Sequence, residues 1–116
     1  MLASPDDLFA YLDTLGIAYE TTWHEALFTV DDGRDLKSRM PGGHTKNLFM
    51  KDKDGTLVLI SALADNQLKL NQLHKRIGMR RLSFASPELM QEILGVTPGS
   101  VTGFALANDR GARVNF

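Results

Sequence analysis

Two β-prone segments joined by a tight turn constrain the fold of this chain more than any other feature. Residues 46–51 and 56–62 flank the tetrapeptide Asp-Lys-Asp-Gly at 52–55, and its Asp-Gly ending suits an antiparallel hairpin. The second segment contains an uninterrupted apolar run at 57–60, which is typical of a central strand covered on both faces. The sequence therefore predicts a β-sheet built around this hairpin.

Residues typical of helix ends predict further elements. Ser-Pro pairs at 4–5 and 86–87 each place a capping hydroxyl before a proline suited to the first helical position, so we expect helices to begin there. Gly16 and Gly95 end these two helices, and a third predicted helix ends at Gly78. The remaining predicted elements are a strand over 17–22, a short helix over 29–39, and strands over 80–85, 101–107 and 112–116.

Length and composition favour one domain. With 116 residues, of which 43% are hydrophobic, the chain is long enough for one compact domain, expected over residues 1–116. It has no cysteine, no signal peptide and no apolar run of about 18 residues, which favours a cytoplasmic protein without membrane contact. Because the chain stops within its last predicted strand, we expect a domain that is short at the C-terminus, or a homodimer that covers this edge.

Charged residues are sorted along the chain. The net charge of −1 taken alone argues against nucleic-acid binding, but residues 1–35 hold eight acidic residues against Arg34 alone. Residues 66–87 contain no acidic residue and five cationic ones, which are Lys69, Lys75, Arg76, Arg80 and Arg81. Two interpretations stay open for this basic segment: a surface that contacts nucleic-acid phosphates, or a solvated helix face.

A glycine-containing turn delivers two polar residues to the first strand of the hairpin. The sequence Pro-Gly-Gly-His-Thr at 41–45 precedes Lys46 and Asn47, and a second turn contains Gly-Ser-Val at 99–101. If both turns face one pocket, the lysine charge and exposed backbone N–H groups stabilise a carbonyl oxygen or a developing oxyanion. Ordinary hairpins and turns contain the same residues, so the residue types alone leave both interpretations open.

Metal and nucleotide chemistry lack their usual motifs in this sequence. His24, His44 and His74 are too far apart for a local metal motif, and the second histidine of a zincin helix is missing after His24. The chain also lacks a nucleophile elbow, a phosphate loop and a dinucleotide fingerprint. We therefore expect no metal and no cofactor.

A long motif resembles the signature of the YbaK/prolyl-tRNA editing-domain family: Pro-Gly-Gly-His-Thr-Lys-Asn-Leu-Phe-Met-Lys-Asp-Lys-Asp-Gly at 41–55. Similar segments occur in the same order at His24, 28–30, 81–86 and 94–102, so the resemblance spans residues 4–116. The signature is more similar to the free-standing deacylases that remove alanine from proline tRNA than to the cysteine-removing branch.

The resemblance implies an α/β (α+β) fold with a mixed, largely antiparallel central sheet flanked by helices. It also implies that water hydrolyses the ester between a wrong amino acid and the terminal adenosine of tRNA, by positioning and electrostatics. The implied partners are mischarged proline tRNA and either prolyl-tRNA synthetase or an elongation factor. Under this resemblance the basic segment contacts the tRNA backbone.

The resemblance assigns roles to individual residues. Lys46 matches the functional lysine of the family, which holds the terminal nucleotide or polarises the ester, with Asn47 beside it as a hydrogen-bonding partner. The loop that borders the aminoacyl pocket matches Gly99, Ser100 and Val101. The other candidate substrate-binding residues are Phe28, Thr29, Val30, Leu36 and His44.

Two departures from the family pattern keep alternatives open. Gly103 stands where the family commonly has proline, and family members usually continue well beyond the position of Phe116. The alternatives are a non-catalytic tRNA-binding remnant, a deacylase acting on cysteinyl-tRNA for proline, and a small-molecule-binding domain that has lost tRNA recognition.

Overall fold

The computed structural model describes residues 4–24 and 40–116, and these form a mixed sheet with helices packed around it. The helices are α1 (Pro5–Thr14), α2 (Leu70–Ile77), α3 (Pro87–Leu94) and a 3₁₀ helix (Gly103–Asn108). The strands are β1 (Thr45–Asp52), β2 (Leu57–Leu63), β3 (Leu82–Phe84) and β4 (Val114–Asn115). The strand order is β3-β1-β2-β4, which confirms the predicted α/β class.

The predicted hairpin is the centre of this sheet. Strands β1 and β2 pair antiparallel with Phe49 opposite Leu59 and Lys46 opposite Ala62. Strand β3 is antiparallel to β1, whereas β4 runs parallel to β2 at the other edge. The sheet is therefore mixed and largely antiparallel, as the family resemblance implied.

One carboxylate closes the hairpin turn. Asp52 is 7% exposed, and its Oδ1 accepts hydrogen bonds from the backbone N–H groups of Asp54 at 3.0 Å and Thr56 at 2.9 Å. Its Oδ2 accepts from the N–H of Arg80 at 3.3 Å. Asp52 therefore ties the hairpin turn to the segment that enters β3.

The hydrogen bonds of Asp52 decide its charge state. Burial raises the pKa of the Asp52 carboxyl, but hydrogen bonds from the N–H groups of Thr56, Arg80 and Asp54, together with the charge of Arg80, outweigh it. The pKa of Asp52 consequently lies below its ordinary value of 3.8. The carboxylate stays ionised wherever the protein is folded near neutral pH.

The main core lies on one face of the sheet. Phe49, Leu57 and Leu59 share this face because they are cross-strand partners or alternate along β2. They pack against α3, whose Leu94 is fully buried, and against Ala105 of the 3₁₀ helix. Val58, on the opposite face, is also buried. This confirms that the 57–60 run is central and covered on both sides through residue 59.

The helix boundaries follow the predicted capping chemistry. Ser4 Oγ accepts from the N–H of Asp7 at 3.2 Å, and Ser86 Oγ accepts from the N–H of Leu89 at 3.1 Å. Helices α2 and α3 end at Gly78 and Gly95, which adopt left-handed φ values of 71° and 70°. These local signals were sufficient to place both ends of α3.

Two predicted strands are wrong. Residues 17–22 form no strand, because none of the described strands pairs with them. Residues predicted as a strand over 101–107 instead enter the 3₁₀ helix, since Thr102 Oγ1 caps it by accepting from the N–H of Phe104 at 3.3 Å. Asn108 then anchors this helix to α3 by donating from Nδ2 to the Leu94 carbonyl at 2.9 Å.

The other predicted elements are shorter or lie elsewhere. The strand expected over 80–85 is confirmed at Leu82–Phe84, and the terminal edge strand expected over 112–116 is confirmed at Val114–Asn115. The helix predicted over 29–39 falls outside the described residues.

Replacing Asp52 by asparagine should lower stability at pH 7 and weaken its pH dependence. The folded-state pKa of Asp52 is depressed, so its contribution is complete above the unfolded value near 3.8 and is lost as pH falls below it. Urea unfolding midpoints measured from pH 7 to pH 3 should therefore converge between wild type and Asp52→Asn at low pH. Asp65→Asn, a change at an exposed turn carboxylate, is the control. A constant difference between Asp52→Asn and wild type across this range would contradict the assignment.

Candidate active site

The candidate lysine lies at the open end of the hairpin. Lys46 is the second residue of β1, is half-buried, and pairs with Ala62 near the end of β2. Its Nζ donates a hydrogen bond to the backbone carbonyl of Asn66, in the loop that follows β2. An ammonium has three N–H donors, so this contact orients Lys46 and leaves donors for a ligand.

Backbone hydrogen bonds hold the loop that contacts Lys46. The N–H of Ala64 donates to the carbonyl of His44 at 2.7 Å, and the N–H of Asn66 donates to the carbonyl of Leu63 at 3.0 Å. The first bond links the loop to the residue before β1, and the second closes a turn. Lys46 is thus oriented by a loop that is itself fixed to the same end of the hairpin.

The two glycines before this site have different structural roles. Gly42 has a φ of +95°, a conformation that residues with a side chain rarely adopt. Gly43 has an ordinary φ but lies so close to Leu63 that an added Cβ would be 2.9 Å from its Cδ2. The turn requires the first glycine, whereas a side chain at the second would have to displace the end of the Leu63 side chain.

Asn47 and Lys46 leave β1 on opposite faces of the sheet. Successive side chains of a strand alternate between faces, so Asn47 shares its face with Phe49, which packs against α3. Val101, in the second candidate turn, packs against the same core cluster. Asn47 therefore lies on the face of the sheet where the 97–102 loop packs, whereas Lys46 begins on the other face at the strand end.

The second turn has a defined backbone geometry. Gly99 has a φ of +91°, and the N–H of Ser100 donates to the carbonyl of Thr97 at 3.0 Å. Within the described chain, the N–H groups of Gly99 and Val101 make no backbone–backbone hydrogen bond. These two amides, rather than that of Ser100, are the donors that this turn offers to a carbonyl oxygen.

Ser100 borders a cleft that does not include the lysine. The cleft has a volume of about 420 Å³ and lies between the first turn of α1, the end of α3 and the 3₁₀ helix. Ser100 and Thr102 line it, but Lys46 and Asn47 do not. The two candidate turns are therefore not joined in this cleft.

Four predicted pocket residues are not placed. Phe28, Thr29, Val30 and Leu36 lie outside the described residues. His44, the fifth, is half-buried, and its carbonyl accepts the hydrogen bond from Ala64.

The basic segment is exposed along its length. It begins at the residue that precedes α2, continues in the last turn of α2 and ends in the link to β3; its members are Lys69, Lys75, Arg76, Arg80 and Arg81, all exposed. Cations in the last turn of a helix also stabilise the helix dipole. This segment therefore offers charge to a polyanion while serving the helix that carries it.

Sequence reasoning missed one contributor to the site and the full role of one residue in the hairpin turn. Asn66 accepts the Lys46 hydrogen bond through its backbone carbonyl, and because every residue has such a carbonyl, the residue type does not indicate this role. Asp52 was assigned only turn chemistry, although its position two residues before the Asp-Gly pair is where a carboxylate accepts turn N–H groups.

The described part of the chain shows neither a metal centre nor a membrane span. Residues 4–24 and 40–116 contain no group of three or more histidine, aspartate or glutamate side chains able to hold a metal ion. Their helices lack the length and apolar character needed to cross a bilayer.

The chain belongs to the family described as the aminoacyl-tRNA editing domain, which matches residues 24–114. The family resemblance in the sequence is thereby confirmed. Helix α1 precedes the matched region.

Three relatives illustrate the range of the family. Prolyl-tRNA synthetase associated domain-containing protein 1 of Xenopus laevis is 41% identical over 108 residues, covering 90% of this chain and 64% of the relative. Prolyl-tRNA editing protein ProX of Acetoanaerobium sticklandii is 33% identical over 108 residues, covering 92% of this chain and 66% of the relative. Multifunctional Ser/Thr-tRNA deacylase ProXp-y of Escherichia coli K12 is 31% identical over 101 residues, covering 84% of this chain and 60% of the relative. The chain thus spans less than two thirds of the length of these relatives.

Alanine should be tolerated less well at position 42 than at position 43. Gly42→Ala forces a side chain into a positive φ, which costs about 1–2 kcal/mol. At Gly43 the new methyl meets the end of the Leu63 side chain, which is 51% exposed and free to rotate, so we expect a cost below about 1 kcal/mol. Urea denaturation of the two variants measures this difference. A larger loss for Gly43→Ala would show that Leu63 is held rigidly in place.

Proposed function

We propose that this chain carries the catalytic centre of a cytoplasmic aminoacyl-tRNA deacylase, which hydrolyses alanine from mischarged proline tRNA. The observation that carries the proposal is the oriented lysine: Lys46 is held by the Asn66 carbonyl at the hairpin's open end, within a domain of the editing family. Neither a metal nor a cofactor is required for this chemistry.

Lys46 supports hydrolysis through its charge. Water adds to the ester carbonyl carbon, negative charge develops on the carbonyl oxygen, and the bond to the ribose oxygen of the terminal adenosine then breaks. The proton lost by water is taken up by that ribose oxygen, giving free amino acid and free tRNA. A fixed ammonium near the developing oxyanion lowers the barrier, because it needs no reorganisation during the reaction.

Asn47 and the second turn complete the proposed site from the core side of the sheet. Asn47 shares this side with Val101, and the N–H groups of Gly99 and Val101 are available donors in the described structure. We assign them to the aminoacyl group, while Lys46 approaches the ester from the end of the strand. Ser100 faces the neighbouring cleft and borders the pocket from that side.

The specificity for alanine rests on size. A pocket selective for proline does not strongly reject a smaller amino acid, since a missing methylene changes binding by only about 1–3 kcal/mol. A second site that admits only small side chains corrects the resulting errors. We assign this pocket to Phe28, Thr29, Val30, Leu36 and His44. Cysteinyl-tRNA for proline and the seryl and threonyl esters named for the Escherichia coli relative are the competing substrates.

The basic segment is the proposed tRNA contact. Its exposed cations lie on α2 and on the link to β3, the segment that Asp52 ties to the hairpin. Phosphate contacts of this kind position the tRNA and weaken as salt rises. Prolyl-tRNA synthetase is a proposed partner, because the name of the Xenopus laevis relative associates it with that enzyme.

Lys46→Ala should abolish most deacylation without unfolding the chain. We expect a loss of at least about 100-fold in kcat/KM for release of labelled alanine from alanyl-tRNA for proline, because the oxyanion loses its charged partner. Lys51→Ala removes the same charge from an exposed position of the same strand and should retain activity. The unfolding midpoints of both variants should stay close to wild type, since neither residue belongs to the buried core.

Two results would count against this proposal. Full activity in a folded Lys46→Ala variant would remove the lysine from the mechanism. A wild-type chain that binds proline tRNA but releases none of the amino acids in a panel of alanyl, cysteinyl, seryl and threonyl esters would indicate a binding module.

A further inference from the structure

Three aromatic rings form a preassembled cluster outside the proposed active site. Phe9 of α1 stacks on Tyr19 with ring centroids 5.4 Å apart and planes 14° from parallel. Trp23 meets Phe9 edge-on at 6.3 Å. Trp23 is nonetheless 73% exposed and Tyr19 39% exposed. Such large apolar rings held in place at the surface are typical of interaction sites.

Carboxylates flank these rings on the same side of α1. Asp6, Phe9 and Asp13 are spaced at i, i+3 and i+7, which places them along one helix face. The Tyr19 hydroxyl donates to Asp13; burial, this hydrogen bond and the charge of Asp13 raise the pKa of Tyr19 above 10.0. We refer to Asp6, Phe9, Asp13, Tyr19 and Trp23 as the aromatic face.

The charge of this face selects its occupant. Residues 4–24 contain four acidic residues and neither lysine nor arginine, whereas the cations suited to RNA lie in the basic segment after β2. Carboxylates beside the rings repel phosphates, so stacking of RNA bases is disfavoured here. An arginine or lysine side chain makes two favourable interactions here, because it stacks on an aromatic ring and pairs with a carboxylate.

We propose that the aromatic face docks a cationic segment of a partner protein, with an arginine or lysine of the partner over Trp23 between Asp6 and Asp13. This surface is formed by residues that precede the family-matched region at 24–114, and its function does not depend on deacylation. The aromatic face and the basic segment share no residue, so a protein bound at one does not use the cations proposed for tRNA.

Fluorescence of the full chain tests this assignment, because Trp23 is its single tryptophan. The probes are a Gly-Arg repeat peptide, a Gly-Glu peptide of equal length, and single-stranded oligo(A) RNA. The Gly-Arg peptide should change the emission saturably, and the Gly-Glu peptide should not. Asp6→Asn combined with Asp13→Asn should weaken binding about five-fold or more.

Two further variants separate this face from general charge attraction. Glu92→Gln makes the same kind of change at an exposed position of α3 and should leave the affinity unchanged. Trp23→Ala, followed by calorimetry, should lose most of the binding heat while its circular dichroism stays native.

Each contrary result overturns the proposal in a defined way. Absence of a saturable response to the Gly-Arg peptide, or equal weakening by Glu92→Gln, removes the site. Saturable quenching by oligo(A) makes the face an RNA-stacking surface. Emission that changes with protein concentration alone, together with self-association in sedimentation that Trp23→Ala abolishes, makes the occupant a second copy of this chain. None of these outcomes bears on the proposed deacylase activity, which is measured separately.

Discussion

The antiparallel register of the central hairpin is the constraint on which the rest of the structure depends. Asp52 closes the turn, and pairing from Lys51 with Leu57 to Thr45 with Leu63 then follows one residue at a time. A shift of the register by one residue would put Phe49 and Leu59 on opposite faces of the sheet, so that only one of them could still pack against α3. The same shift would carry Lys46 away from the Asn66 carbonyl, so the core and the candidate site depend on one pairing.

This register also divides the candidate site between two faces of the sheet. Lys46 reaches the loop after β2 from one side, whereas Asn47 lies with Phe49 on the side covered by α3 and the 97–102 loop. Under the proposed function, an ester bound across the end of β1 would meet the Lys46 cation on one face and the backbone amides of the second turn on the other. Gly42 and Gly43 allow the chain to enter the strand without blocking this end.

The sequence predicted those parts of the fold that depend on interactions between residues close together in the chain. The hairpin turn, the serine caps and the glycine helix ends depend on neighbouring residues, and each was predicted from the sequence. Residues 17–22 and 101–107 have the composition of strands, but a strand also needs a partner, and Thr102 instead caps a 3₁₀ helix. The contact of Lys46 with Asn66 could not be predicted, because its acceptor is a backbone carbonyl, which every residue has.

The most direct test of a single site formed by both turns is an NMR titration with a non-hydrolysable alanyl-adenosine, in which an amide replaces the ester. We expect the backbone amide signals of residues 44–47 and 99–101 to shift together and to saturate at one ligand concentration. Those of the aromatic face should remain in place. Shifts confined to one of the two segments, or two separate saturation curves, would contradict the claim that Lys46 and the second turn act on one substrate.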